Sequence, residues 1–443
     1  MPRRPKAKDG LTAGQRVALY EAQLEEKRKN MLGENMSQEN VATLGAAAEK
    51  AADAPVASNQ QKKLQKPQHA TVKVDLSLKT GEIKPLHGMC NGPVSYGADI
   101  TPLFREIGVP YVRFDCTDTA ISAYAVDVSR IFKNMDADPT DADSYDFECT
   151  DRYVRAVYLS GAKVIFRLGE SVDMIGDKKK DLPENIEALA RVCVNIIRHY
   201  NEGWANGYTF GIEYFELWNC SGERDVGEFE LYRSLANSLK LYDEDLKLGG
   251  MSFSGFDGAV REFLRYCRKH RVPLDFVSID CFGGDPESAG KDAEMLVMLM
   301  KNLGFDGVEL VVGKWSYIDS DDVGNAPFEK AVGILERRRG LLEAQRDVRG
   351  AAYAAALLLR LMDVPDIKTA CFFDAQPMIS SFCAIADSFG EPMKPFYAFK
   401  AYGDLYRAKN AVFTESIQTE GMAHTGIYVG AAVSDREIGR AHV

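Results

Sequence analysis

The chain has 443 residues, of which 46% are hydrophobic and 27% charged, as in a soluble globular protein with a large core. Its net charge of −11 argues against nucleic-acid binding as a main role. No apolar run reaches the roughly 18 residues of a membrane span, so no membrane partner is expected. The nine cysteines show no CxxC spacing and no secretion signal is visible, which predicts a cytoplasmic protein with reduced thiols and no metal or cofactor.

The first 70 residues differ in composition from the rest of the chain. They hold 12 Lys and Arg against 8 Asp and Glu, and residues 36–70 contain few large apolar side chains. Such a segment cannot bury enough apolar surface to offset the entropy of ordering it. We therefore expect residues 1–70 to be a disordered or partly helical tail, with a docking or nucleic-acid-binding arm as the alternative.

From residue 84 onward, short apolar runs alternate with helical patterns, which indicates a parallel sheet. A doubly wound sheet would need a glycine-rich phosphate turn after an early strand, and none is present. Eight units favour an α/β fold of the (β/α)8 TIM barrel type over residues 71–408. The predicted strands are Leu86–Cys90, Val109–Phe114, Lys163–Arg167, Tyr214–Trp218, Lys247–Met251, Phe276–Ile279, Glu309–Val312 and Thr369–Phe373. The predicted helices are Leu103–Ile107, Cys149–Ser160, Asn185–Tyr200, Glu228–Asp243, Ala259–Lys269, Ala289–Leu303 and Val348–Met362.

The C-terminal segment is predicted to begin a second domain. The run Gly426–Val433 has the pattern of a strand, and residues 409–436 are expected to start a truncated β-sandwich. Residues 437–443 match the translation of a common sequencing-adapter oligonucleotide, so we expect them to be an artefact and the natural chain to continue beyond Asp435.

In a (β/α)8 barrel the functional groups stand at the carboxyl ends of the strands. Polar and aromatic residues gathered there suit a sugar, which needs hydrogen bonds to its hydroxyls and a flat apolar platform. The candidate binding residues are His87, Asn91, Arg113, Asp115, Glu170, Trp218, Asn219, Asp280, Trp315, Tyr317, Asp374 and Gln376.

Several short motifs, in this order and spacing, resemble glycoside hydrolase family 39 over about residues 84–410. The resemblance implies a barrel of the clan that cleaves glycosidic bonds with two glutamates and retention of configuration. The motifs are His87-Gly88 with Asn91-Gly92-Pro93, Val112-Arg113, Tyr145-Asp146-Phe147, Arg167-Leu168-Gly169-Glu170-Ser171, His199-Tyr200-Asn201-Glu202-Gly203-Trp204, Tyr214-Phe215-Glu216-Leu217-Trp218-Asn219, Phe373-Asp374-Ala375-Gln376-Pro377 and Lys394-Pro395-Phe396-Tyr397-Ala398-Phe399-Lys400.

The chain departs from this family where the chemistry should lie. The acid/base glutamate follows the Trp-Asn pair, where this chain has Cys220, and the nucleophile precedes a Trp on strand seven, where it has Lys314. A thiol with a pKa of about 8.5 is a poor proton donor to an ether oxygen. An ammonium group cannot attack carbon. The usual mechanism is therefore not expected at these positions.

These observations predict a catalytically degenerate barrel that retains carbohydrate binding or a scaffold role. The alternative is an active hydrolase with relocated carboxylates, for which the candidates are Asp115, Glu170, Asp280, Asp374 and Glu223, three residues past Cys220. In the other interpretation, these acids are loop caps or ion-pair partners of Arg113, Arg167 and Lys314. A nucleophilic Cys220 and a Schiff base on Lys314 are further alternatives. We expect Cys220 and Lys314 to face each other and Lys314 to be held by Asp280 and Glu170. The sequence does not predict an oligomeric state.

Overall fold

The computed structural model describes residues 71–95, 98–115, 125–171, 183, 185–218, 226–318, 339–377, 382–417, 426–434 and 441–442. The chain divides into two units at Gln68 and His69. The predicted tail of residues 1–70 lies outside the described residues, as does most of residues 437–443.

Eight parallel strands close into a barrel, which confirms the predicted fold class. All eight predicted strands are present at their predicted places, and four of them extend further toward their carboxyl ends than expected. The closing contact joins the last barrel strand to the first, with Cys371 opposite Gly88 and Phe372 opposite Met89. The barrel strands are β2 (Gly88–Cys90), β5 (Tyr111–Arg113), β6 (Lys163–Leu168), β7 (Tyr214–Leu217), β8 (Lys247–Ser254), β9 (Phe276–Gly283), β10 (Glu309–Tyr317) and β11 (Ile367–Phe372).

Helices between these strands pack their apolar faces on the outside of the barrel, and the seven predicted helices match observed ones to within three residues at each end. Asp257 and Asp285 each accept a hydrogen bond from the first turn of the helix that follows, which fixes where two of these helices begin. The helices are α1 (Thr101–Ile107), α2 (Val128–Ile131), α3 (Glu148–Ser160), α4 (Ile186–Asn201), α5 (Val226–Tyr242), α6 (Gly258–His270), α7 (Pro286–Asn302), α8 (Arg339–Arg346), α9 (Val348–Leu361) and α10 (Lys394–Ala408).

The barrel interior is apolar near the amino ends of the strands and charged above. Because side chains alternate along a strand, residues two positions apart share a face. Two residues after the apolar side chains on β5, β6 and β7 come Arg113, Arg167 and Glu216, all fully buried. The apolar layer is formed by Tyr111, Ile165, Tyr214, Phe276 and Val311.

A separate antiparallel sheet joins the two ends of the described chain. Its order is β1 (Thr71–Glu82), β12 (Asn410–Ile417), β13 (Gly430–Val433) and β14 (Ala441–His442). The predicted strand at Gly426–Val433 is thus present in its second half, and it pairs on both sides although few partners were expected. The barrel range predicted from the sequence includes residues 71–82. The structure instead places them in this sheet, where they pair with β12.

Two smaller features complete the described fold. A short hairpin follows the first barrel strand and is formed by β3 (Val94–Ser95) and β4 (Ala98–Asp99). No helix within the described ranges has the length and apolar character that crossing a membrane would require.

Candidate functional site

Lys314 lies near the carboxyl end of β10 and is held by two carboxylates, one on the neighbouring strand β9 and one that follows β5. Its Nζ is 3.2 Å from Oδ2 of Asp280 and 3.5 Å from Oδ2 of Asp115. The expected contact with Asp280 is confirmed. The second partner is Asp115, whereas Glu170 accepts hydrogen bonds from the backbone and hydroxyl of Ser129. Three charged side chains therefore meet at the barrel mouth.

A second ion pair lies directly beneath this group. Arg113 donates from Nε and Nη2 to the two carboxylate oxygens of Glu216, both at 2.6 Å, and neither side chain is exposed. Arg113 Nη2 also donates to Ser252 Oγ at 3.2 Å, and that hydroxyl donates to Asp280 Oδ1 at 2.7 Å. With Asp115 Oδ1 3.8 Å from Arg113 Nη1, the contacts form one continuous charged network.

Asn91 joins this network to the last barrel strand. Its side-chain oxygen accepts a hydrogen bond from the backbone of Asp115 at 2.9 Å, and its amide donates to Asp374 at 3.3 Å. Asp374 also accepts from the backbone of Gln376 at 2.7 Å. All four residues are buried, so they fix the first, second and eighth strand ends relative to one another.

The pKa values of Asp115, Asp280 and Lys314 are shifted in different directions by their surroundings. Burial raises the pKa of Asp280 above its ordinary value, because it outweighs the attraction of Lys314 and Arg113. Burial also acts on Asp115, but there Lys314 and Arg113 prevail and lower its pKa to about 2. Burial disfavours the charged form of Lys314, yet Asp115 and Asp280 raise its pKa above the ordinary value. Lys314 is therefore an ammonium group at neutral pH.

A bulge in β10 explains why Lys314 faces the interior. Val312 pairs with Ile279 and Lys314 pairs with Asp280, so Gly313 is an extra residue in β10. A Cβ on Gly313 would lie 3.2 Å from Nε of Arg113, which is tight for any side chain at this position. Glycine thus lets Arg113 approach β10 and brings Lys314 onto the same face as Asp280.

Two of the candidate residues on β10 face the helices. Trp315 is fully buried and its ring lies 5.7 Å from Phe399 of α10 and 5.2 Å from Phe372. The ring of Tyr317 lies 5.4 Å from that of Tyr353 on α9. Their proposed role as a sugar platform at the mouth does not fit this placement, because strand alternation turns them away from the side that Lys314 occupies.

His87 lies at the amino end of β2, opposite the mouth. Its Nε2 donates to the carbonyl of Gly108 at 3.0 Å, and its ring packs between Tyr402 and Tyr406 of α10. Burial lowers its pKa to about 3, so it is neutral in the folded protein. A role in ligand binding at the mouth does not fit this position.

The end of β7 is described only as far as Trp218. Trp218 is 3% exposed and has a φ of 51°, so the strand turns sharply here. Asn219, Cys220 and Glu223 lie outside the described residues, and the expected juxtaposition of Cys220 and Lys314 stays a prediction. The segments that follow β5, β6, β10 and β11 are also outside the described ranges, at 116–124, 172–182, 319–338 and 378–381.

Aromatic groups accompany the charges on the described side of the mouth. The ring of Phe282, near the end of β9, and the ring of Phe373, just after β11, are 6.0 Å apart and nearly perpendicular. Lys314 Nζ lies 5.9 Å from the centre of the Phe373 ring. An apolar face and hydrogen-bonding groups thus occur side by side, as in sites that bind sugars.

Glu216 and Ser252 were not among the predicted site residues. A signal for Glu216 was present, since an acid inside the apolar run Tyr214–Trp218 must have a buried partner, and Arg113 has the same position in its own strand. Ser252 lies in a glycine-containing strand with no comparable signal. A second buried ion pair resembles that of Arg113 and Glu216: Arg167 pairs with Asp127 and donates to Ser171 at 3.0 Å.

The described residues contain no group of three or more His, Cys, Asp or Glu side chains arranged to hold a metal ion. They do outline a cleft of about 610 Å³, but it lies away from the barrel mouth. Strands β12 and β13 form one wall of this cleft, and α7 and α9 form another, with Arg360 bound to Glu287 and Glu294.

Fold and site together define a (β/α)8 barrel with a charged, partly aromatic mouth at the carboxyl ends of its strands. The family model "Glycosyl hydrolases family 39" matches residues 177–303. Similar sequences include two β-xylosidases. The one from Geobacillus stearothermophilus is 30% identical over 109 residues, which cover 22% of this chain and 20% of that protein. The one from Caldicellulosiruptor saccharolyticus is 27% identical over 126 residues, covering 27% and 24%.

Solved structures extend the likeness over most of the chain. A glucosidase from Croceicoccus marinus superposes with a TM-score of 0.65 at 24% identity, covering 84% of this chain and 76% of that one. The GH39 enzyme from Xanthomonas axonopodis pv. citri gives 0.58 at 17% identity, covering 85% and 75%. These structures show the fold. Together with the family model they support a relationship to the family 39 glycoside hydrolases, although the chain aligns with only about a quarter or less of either β-xylosidase.

Proposed function

We propose that this protein is a family 39-like barrel that binds carbohydrate without hydrolysing it by the two-glutamate mechanism. The observation that carries the proposal is the ammonium group of Lys314, which forms ion pairs with Asp115 and Asp280 where the family resemblance places a nucleophilic carboxylate. A protonated amine has no lone pair with which to attack an anomeric carbon, and its charge opposes an oxocarbenium-like transition state.

The binding part of the proposal rests on the polar and aromatic groups that surround Lys314. Asp115, Asp280 and Asp374 supply acceptors for sugar hydroxyls, and the Phe282 and Phe373 rings supply apolar surface. The named relatives, two β-xylosidases and a glucosidase, point to xylose- or glucose-containing ligands as the first to test. A scaffold role without a ligand is the variant of this proposal, and binding measurements would distinguish it from carbohydrate binding.

A hydrolase with relocated carboxylates is the second candidate, and one observation favours it. Asp115 and Asp280 both contact the Lys314 nitrogen, so their contacting oxygens are no more than about 7 Å apart, a limit that includes the spacing of glycosidase acid pairs. Their pKa values also move in opposite directions, as an acid and a base require. The ammonium group that binds both, however, competes with a sugar for their oxygens.

The test combines hydrolysis and binding measurements on the full chain. Aryl β-xylosides and aryl β-glucosides are incubated with the wild type, Asp115→Asn and Asp280→Asn, and xylobiose and cellobiose are titrated by calorimetry. We expect saturable binding and no turnover. Turnover that disappears in either Asn variant would establish the second candidate in place of the first. If the protein shows neither binding nor turnover, the carbohydrate-binding proposal is overturned and the scaffold role remains.

A further inference from the structure

Among the described residues, the partners of Lys314 leave one of its hydrogen-bond donors available at the mouth. An ammonium group has three donors. Its ion pairs with Asp115 and Asp280 engage two of them, and within the described ranges no further hydrogen bond or ion pair of Lys314 is found. The side chain is 15% exposed, more than either acid, so one donor is accessible from the mouth.

The same position determines which charge a ligand can bring there. Lys314 lies between the two carboxylates, with Nζ also 5.9 Å from the Phe373 ring. A ligand nitrogen that carries a proton would bring a second cation, and a second set of donors, to a group that needs an acceptor. A hydroxyl or ring oxygen of a neutral sugar supplies that acceptor. A ligand carboxylate would meet Asp115 and Asp280.

We propose that Lys314 is a specificity-determining residue, which selects neutral sugars over sugars that carry a cationic or an anionic group at the ring facing β10. The inference rests on the proposed carbohydrate binding and assigns its ligand class. It makes Lys314 an orienting donor at the floor of the site. Its raised pKa keeps it charged throughout the range in which binding can be measured.

Removing the ammonium group should reverse the preference. In Lys314→Met the two acids lose their shared cation and can accept from a protonated ligand nitrogen instead. Lys163→Met is the matched control, because Lys163 lies at the amino end of β6, on the opposite side of the barrel, in an exposed pair with Glu213. Lys314→Met with Asp280→Asn removes one positive and one negative charge, so it offers a less strained variant if the single change does not fold.

In the experiment, D-glucose, its ring-nitrogen analogue 1-deoxynojirimycin and D-glucuronate are titrated into each variant. D-xylose and its ring-nitrogen analogue are titrated in the same way. We expect the wild type and Lys163→Met to favour the neutral sugar. Lys314→Met should shift the ratio of affinities toward the protonated analogue by about tenfold or more, with a shift in the same direction in the double variant. An unchanged ratio of affinities in Lys314→Met, or tighter binding of glucuronate than glucose by the wild type, would overturn this inference and leave the proposed function standing. Absence of binding by every probe in every variant would overturn the proposed function with it.

Discussion

Arg113 and Glu216 form a bidentate ion pair inside the barrel, with two N–H···O distances of 2.6 Å and no exposure of either side chain. The pair lies between the apolar layer at the amino ends of the strands and the Lys314 group at the mouth. Because Arg113 also bonds Ser252 and lies close to Asp115, it fixes the positions of groups on two other strands, β7 and β8, and of the acid that follows its own strand. Its integrity is a condition for the geometry of the mouth.

Glu216→Gln should therefore destabilise the protein strongly. The change leaves the Arg113 guanidinium in the core without its paired charge, and breaking a buried pair in this way costs about 3–5 kcal/mol. The free energy of unfolding in urea measures the effect. Glu213→Gln is the control, since Glu213 forms an exposed pair with Lys163 near the start of the same strand. It should change stability by less than about 1 kcal/mol. Equal losses in the two variants would contradict the buried role.

Introducing a carboxylate at position 314 should destabilise the folded protein. Lys314→Glu places a third acid beside Asp115 and Asp280, and like charges about 4 Å apart repel by several kcal/mol in a protein interior. We expect the thermal stability at pH 7 to fall in the order wild type, Lys314→Met, Lys314→Glu. The gap between the two variants should narrow at pH 4, where the crowded acids bind protons. A Lys314→Glu variant as stable as wild type at pH 7 would refute this account.

The Asp115 carboxylate should stabilise the fold at neutral pH and cease to do so in acid. Its pKa is lowered from 3.8 to about 2 in the folded protein, so the folded state holds the charged form more strongly than the unfolded state does. That difference corresponds to about 2 to 3 kcal/mol above pH 4, and it is lost as the pH falls toward 2. Urea unfolding of wild type and Asp115→Asn at pH 7 and pH 3 provides the measurement.

Asp280→Asn is the comparison for that experiment. The pKa of Asp280 is raised, so its charge opposes folding at neutral pH and its neutral form is favoured as the pH falls. We therefore expect Asp280→Asn to cost less than Asp115→Asn at pH 7. A larger cost for Asp280→Asn would show that its contacts with Lys314 and Ser252 outweigh the effect of burial.

Much of this structure follows from the sequence, and the limits have physical causes. Strand and helix alternation predicts the barrel because parallel sheets require such crossovers. The pairing of β1 (Thr71–Glu82) with β12 is not predictable in the same way. The two strands are more than three hundred residues apart, and a strand pattern does not show which other strand it pairs with. The two residues of β14 pair through backbone groups, which every residue other than proline carries, so no side-chain pattern marks this strand.

The site was predicted less completely than the fold. Strand ends identify Asn91, Asp115, Asp280, Lys314 and Asp374, which the structure does bring together. The misplacement of Trp315 and Tyr317 has one cause, since a strand motif gives the residues at the rim without showing which face each occupies. The bulge at Gly313 sets that face, and an isolated glycine in a strand only hints at it.

Trp315 should contribute to stability and not to ligand binding. Its indole packs against Phe372 and Phe399, so Trp315→Ala removes a large buried side chain and should cost about 3–5 kcal/mol. Trp315→Phe retains part of the packing and provides a folded variant for titration with xylobiose and cellobiose. We expect its affinities to match those of the wild type. A tenfold loss of affinity in stable Trp315→Phe would return this residue to the binding site.

His87 should make the fold sensitive to mild acid. Burial lowers its pKa from 6.5 to about 3, so the unfolded chain binds a proton below pH 6.5 while the folded protein does not. Stability is unaffected by this residue above that pH and falls as the pH drops from 6.5 toward 3, by about 1.4 kcal/mol for each pH unit well inside that window. A His87→Gln variant loses the ring packing against Tyr402 and Tyr406, so it should be less stable than wild type at pH 7.5. Its deficit should shrink at pH 4.5, because glutamine binds no proton in either state. Urea unfolding at both pH values tests this, with His270→Gln as the control for an exposed histidine. A deficit that is the same at pH 7.5 and pH 4.5 would mean that His87 takes up its proton in the folded protein as readily as in the unfolded chain.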